Sequence, residues 1–178
     1  IMLIFSQSPM ALESVSSPDG TIVFSVASND KNWLVYTVTF HGEVAIAESR
    51  LGLRFREQKG LDDNFVIQKT GRHIVDDTWE QPWGERRRVR DHHKEIFIQL
   101  IDDTERRLDL RVRVFNDGVG FRYEVPTQAG LDKVEIVEEL TEFHLPKEAT
   151  AWWIPGRAYN RYEYLYRQTG LDAIQLAH

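Results

Sequence analysis

The sequence predicts an all-β protein, a large antiparallel β-sandwich. Three observations carry that expectation: apolar residues recur with period two through most of the chain, turn-forming residues interrupt them at hairpin spacing, and no segment of helical length holds a sustained apolar stripe. A strand with one apolar and one polar face belongs to an antiparallel sheet that is dry on one side only. Ten or more such strands in one chain must stack as two sheets, because a single open sheet of that width leaves an apolar face and long edges uncovered.

Taken in order, Ser17-Pro18-Asp19-Gly20 reads as a turn, and Ile22, Phe24 and Val26 then alternate with polar partners. From Trp33 to Phe40, the residues Leu34, Tyr36, Val38 and Phe40 share a face, and His41-Gly42 closes the hairpin. Further strands are expected at Val44 to Ala47, Leu51 to Arg56, Phe65 to Lys69, Glu85 to Arg90 and Glu95 to Ile101. The clearest alternation lies in Arg107 to Phe115, with Leu108, Leu110, Val112 and Val114 opposed to Arg107, Asp109, Arg111 and Arg113. Asn116-Asp117-Gly118 turns the chain into Val119 to Val125, and after Ala129-Gly130 come Lys133 to Glu138 and Thr141 to Leu145.

A chain of 178 residues sustains one good core, so one domain is the default, read as 12–178 behind a leader at 1–11. That leader, IMLIFSQSPMA, opens on apolar residues but lacks the basic region of a whole signal peptide; it is a signal-peptide remnant or a disordered extension. A net charge of -6 argues against nucleic acid as partner. The run Arg86, Arg87, Arg88 and Arg90 is interleaved with Glu80, Glu85 and Asp91, which marks a salt-bridged strand face. With no cysteine, a disulfide framework and thiolate chemistry are excluded, and no apolar run is long enough to span a membrane as a helix.

Aromatic residues supply the candidate binding positions. Trp79 and Trp83 flank Gln81-Pro82, where the proline excludes an interior strand, and a loop tryptophan either stacks on the apolar face of a pyranose or caps the sandwich. Trp152 and Trp153 are adjacent, so in an extended chain one ring turns inward and the other is open to a partner. Among ionisable groups, His92 and His93 diverge on a strand and cannot readily share a metal, so a satisfied strand histidine is the plain reading. The pairs Asp62-Asp63, Asp76-Asp77 and Asp102-Asp103 match no calcium-loop pattern. Glu163 stands apart: Tyr159, Tyr162, Tyr164 and Tyr166 surround it, with Arg161 and Arg167 close by, a setting for a cation, a sugar hydroxyl or a structural salt bridge.

Four ordered motifs, SPDG, WEQPWGERRRVRDHHKE, RVFNDGVGFRYEVP, and TEFHLPKEATAWWIPG with RYEYLY, resemble the N-terminal domain of glycoside hydrolase family 97, over Leu12 to His178. The resemblance implies a galactose-mutarotase-like super-sandwich, non-catalytic by itself, that packs on a downstream (β/α)₈ barrel. The barrel of such an enzyme hydrolyses terminal α-glucosidic or α-galactosidic linkages of an oligosaccharide in the periplasm. The resemblance further implies that Glu163 contributes one ligand to an active-site calcium, and that Trp79 through Glu85 lies toward the barrel side. Where the family reads R-N-H-Y-N-E this chain has RDHHKE, so substrate contacts do not carry over to Arg90 through Glu95. A chain parted from its barrel is expected to show an aromatic patch able to self-associate through Trp153, Tyr162 or Tyr164. Two alternatives remain beside this one: a stand-alone carbohydrate-binding sandwich using Trp79, Trp83, Trp152 or Trp153, and an aldose-epimerase-like enzyme drawing on His92, His93 or His144.

Overall fold

The computed structural model describes residues 13–131, 133–156 and 163–174, which divide into one compact unit ending at His144 and a second beginning at Leu145. The first unit is the predicted antiparallel sandwich. One four-stranded sheet runs in the order β1 (Glu13–Ser16), β2 (Ile22–Ser28), β3 (Leu34–Phe40) and β4 (Glu43–Arg50). A short pair joins β5 (Leu53–Phe55) to β10 (Ile136–Glu139), and the second four-stranded sheet holds β6 (Val66–Glu80), β7 (Arg88–Ile101), β8 (Arg107–Phe115) and β9 (Gly118–Glu124) in that order. The second unit contains the hairpin of β11 (Thr150–Trp153) and β12 (Arg167–Gly170).

The turns follow their sequence chemistry. The Asp19 carboxylate accepts hydrogen bonds from the Ser17 hydroxyl (2.6 Å) and from the Thr21 backbone N–H (3.0 Å) and hydroxyl (2.8 Å), closing the Ser17 to Gly20 turn. His41 and Gly42 both take positive φ (50° and 83°), as a two-residue hairpin with the correct twist requires. Gly52 is obligatory for a different reason: a Cβ there would lie 2.5 Å from that of Asp62.

The core sits between the two large sheets. Phe24, Val26, Leu34, Tyr36 and Val38 face Ile96, Ile98, Leu100, Leu108, Leu110, Val112 and Val114, and all are buried. Phe24 stacks on Tyr36 (5.2 Å between centroids), and Phe121 of β9 meets both, at 5.8 and 5.3 Å, so one aromatic cluster spans the sheets.

On the reverse face of the second sheet the polar half of the alternation forms an ordered lattice. Glu95 accepts from Arg111 (2.6 Å) and Arg113 (2.8 Å), Arg111 reaches on to Glu124 (2.9 Å) and rests over Phe97, and Arg107 grips Asp109 through two bonds. Burial acts to raise the Glu95 carboxyl, but the two guanidiniums prevail and hold it below the usual carboxylate range.

Several boundaries differ from expectation. The segments at Glu85 to Arg90 and Glu95 to Ile101 are one continuous β7, and β6 extends to Glu80, far beyond Lys69. β7 pairs with β8 only from Lys94 onward, so Asp76–Glu80 and Arg88–His92 project as a two-stranded ribbon. Exposed on both faces, it shows no period-two apolar signal; backbone pairing and surface ion pairs, Arg90 to Asp76 and Arg88 to Glu80, define it instead. Thr141 to Leu145 is no strand, although its backbone still bonds β4 through Glu142 to Arg50 and Ala47 to His144.

Replacing Leu110 with alanine should cost about 2–5 kcal/mol in urea unfolding, because the site is fully buried between sheets. Since the Glu95 carboxyl is depressed in the folded state, its contribution is complete above the unfolded-state value near ~4.3 and disappears as pH falls through the lower folded value. Glu95→Gln should therefore lower stability at neutral pH and flatten the acid limb of a stability-against-pH series.

Candidate functional site

The β2–β3 connection builds one wall of a concavity. Asn29 closes it: its side-chain carbonyl accepts from the backbone N–H of Lys31 (3.0 Å) and Trp33 (3.2 Å), and Asn32 takes positive φ (59°). That turn presents Trp33 beside the end of β4, where the Arg50 guanidinium lies 4.0 Å from the ring centroid. Arg50 is held from behind by Asp62 (2.5 Å), and its backbone N–H donates to the Glu142 carboxylate (2.9 Å). Burial pushes the Asp62 carboxyl upward and the neighbouring Asp63 charge adds to this, while Arg50 and Arg54 oppose it. The Arg50 Nε is buried with no hydrogen-bond partner among the described residues.

The result is a cleft of ≈ 570 Å³. On its far wall Glu48 accepts from the Asn29 amide (3.0 Å), and His144 bonds the Glu48 carbonyl oxygen through Nδ1 (2.7 Å) and the Ser49 hydroxyl through its backbone N–H (2.9 Å). The His144 Nε2 stands 3.7 Å from Glu142. Lys31 adds an ammonium 4.4 Å from the Trp33 centroid. Donors, acceptors and an indole therefore converge on one hollow, an arrangement suited to holding a polar ligand.

The residues singled out in the sequence lie elsewhere. Trp79 ends β6 and Trp83 sits in the connection to β7, at the tip of the projecting ribbon, 50% and 82% exposed. Neither is a core residue. Trp152 and Trp153 alternate on β11 as adjacency requires: Trp152 is 65% exposed, whereas Trp153 is half-buried, donates from Nε1 to the Thr169 hydroxyl (3.0 Å) and carries the Arg167 guanidinium over its ring. Glu163 is exposed, and among the described residues no cation lies within ion-pair distance of it. Tyr159, Arg161 and Tyr162 lie outside the described residues.

His93 corrects the plain reading of a satisfied strand histidine. It is 1% exposed against Phe115, with Nδ1 on Asp91 (2.5 Å), yet its Nε2 has no partner among the described residues. His92 takes the opposite face of β7, and His144 lies against β4 in the other sheet. The paired acids are structural: Asp62 and Asp76 pair with Arg50 and Arg90, and Asp102 organises its own turn by accepting from Thr104 and Arg106. Among the described residues no three His, Asp or Glu side chains form a metal cluster, and no helix is long and apolar enough to cross a membrane. Sequence reasoning missed the Trp33 cleft, for which Asn29-Asp30-Lys31-Asn32 before a tryptophan was the available signal.

The chain belongs to the Glycosyl-hydrolase 97 N-terminal family, whose model matches residues 15–178. It is similar to a Glycoside Hydrolase Family 97 enzyme from Pseudoalteromonas sp. strain K8, solved with panose and with acarbose: 40% identity and a TM-score of 0.82, covering 90% of this chain and 25% of that one. A Streptomyces bingchenggensis protein named "Probable retaining alpha-galactosidase" is 30% identical over 119 residues, which are 67% of this chain and 18% of that protein. A beta-arabinopyranosidase structure shares the fold at 24% identity and a TM-score of 0.73. The chain thus spans about a quarter of these solved relatives and less of the curated one.

Trp83 and Trp33 should behave differently on truncation. Trp83→Ala is expected to leave thermal unfolding within about 0.5 kcal/mol of the parent, as for an exposed site. Trp33→Ala should lower stability by about 1–2 kcal/mol, since it removes the surface on which Arg50 and Lys31 rest.

Proposed function

We propose that this chain is the non-catalytic N-terminal sandwich of a longer glycosidase that hydrolyses terminal α-glucosidic or α-galactosidic linkages of oligosaccharides, in the periplasm. The observation that carries the reading is the family match across 15–178, in a chain that covers a quarter of its solved relatives. Its work is to support a (β/α)₈ catalytic domain of the same polypeptide. The exposed tryptophans of the ribbon, Trp79 and Trp83, and Trp152 of β11 with its half-buried neighbour Trp153, are the groups it offers to that domain or to the sugar. Trp153 and Tyr164 would serve self-association of the separate chain; Tyr162, expected beside them, lies outside the described residues.

Calcium fits the donor chemistry of Glu163 in kind and only partly in number. Its carboxylate is exposed, with no ion-pair partner among the described residues, and is a hard oxygen donor of the type calcium takes. The ion requires about six to eight oxygens, so this chain would supply one ligand and a second domain the rest. When bound, the ion would supply electrostatic stabilisation to the reacting sugar; the part of this chain is to hold one carboxylate at the domain boundary.

Two measurements test the reading. Extending the natural reading frame past His178 should give a polypeptide that cleaves aryl α-glucosides or α-galactosides; an absence of both activities counts against it. The separate chain should bind calcium weakly or not at all, while in the longer polypeptide Glu163→Gln should raise the calcium concentration needed for half-maximal activity at least tenfold. A micromolar calcium titration of the separate chain that survives Glu163→Gln would sink the assignment.

A further inference from the structure

The cleft beside Trp33 is lined by none of the residues to which the family resemblance assigns a role, and its construction is that of a binding site. We propose that it is a second saccharide site, taking a neutral α-linked oligosaccharide on the Trp33 indole when Lys31 swings aside. The ligand class rests on the glycosidase reading; the site itself rests on the geometry.

Four observations carry it. The volume, ≈ 570 Å³, falls within the roughly 300–1,000 Å³ of small-ligand sites. The indole is held and not merely present: Asn29 fixes the backbone N–H of Trp33, and Arg50, anchored by Asp62, lies over its ring. Lys31 is the opposite case. It is exposed, and among the described residues its ammonium makes no hydrogen bond or ion pair, so its hold on the ring is a single exposed cation–π contact, readily given up.

The rim selects the ligand. Glu48 and Glu142 are acceptors, while Arg50 supplies donors, so both charge signs line the hollow. A cation or an anion would meet like charge on one side. A neutral polyol meets neither penalty, because a vicinal hydroxyl pair donates to a carboxylate and accepts from the guanidinium, while the apolar C–H face of the ring lies on tryptophan.

The test uses the 178-residue chain with panose as probe and raffinose as its galactose-terminated counterpart, followed by the indole N–H signals in ¹H–¹⁵N spectra. The expected result is saturable binding in which the Trp33 indole moves most, weakened at least tenfold by Trp33→Ala and by Glu48→Ala, and retained or tightened by Lys31→Ala. Glu48 lies on the exposed rim, so its variant keeps the test intact if Trp33→Ala unfolds. No saturation with either sugar, binding undiminished in Glu48→Ala, or binding lost in Trp83→Ala instead would overturn the proposal. A silent cleft in a longer polypeptide that still cleaves α-glycosides would refute this inference alone, whereas a lack of that cleavage would refute the glycosidase reading.

Discussion

Everything in the first unit depends on keeping water out from between two four-stranded sheets. Each sheet has one apolar face, and neither face has another place to be buried. The Phe24, Tyr36 and Phe121 cluster is where the constraint is tightest, because it joins strands far apart in sequence and includes a hydroxyl that must not go unpaired. The Tyr36 hydroxyl resolves this by donating to the Glu142 carbonyl oxygen at 2.7 Å. Burial, with smaller contributions from Tyr123 and Glu142, pushes its pKa up to about 12.

That one hydrogen bond also ties the core to the cleft. Glu142 offers its carbonyl to Tyr36 and its carboxylate to the backbone N–H of Arg50, so the segment running back along β4 is positioned from the core outward. Arg50 then reaches Asp62 and Trp33, and His144 follows two residues on, bonded to β4. The hollow beside Trp33 is therefore made of side chains that the packing has already restrained. A site built this way loses little conformational freedom on binding, which is the physical basis of preorganisation.

The projecting ribbon obeys the opposite logic. Beyond Lys94 it has no third strand, and a two-stranded hairpin in water is marginal by itself. Arg90 with Asp76 and Arg88 with Glu80 stiffen it, yet exposed pairs of this kind contribute little each. Trp79 and Trp83 stand exposed at this tip, in a chain that covers only a quarter of its solved relatives.

What the sequence determined by itself was whatever period two reports: the antiparallel class, the dry faces of β2, β3 and β8, the turns at Asp19 and His41, and the salt-bridged arginine run. These were legible because each depends on neighbours within a few residues. It also carried, through four ordered motifs, a family membership that matches residues 15–178. The length of the ribbon was illegible, since a strand exposed on both faces has no hydrophobic rhythm to read. So was the cleft. Trp33 is paired with Arg50, Glu142 and His144 across distances in sequence that only sheet register and loop closure bring together. The same holds for Glu95, which reads as one more surface carboxylate and becomes a buried anchor only when β7 and β8 lie side by side and two arginines close over it. Local pattern decides which face of a strand is dry; the partners that each polar face meets are decided by the pairing of strands, and that pairing exists only in the folded chain.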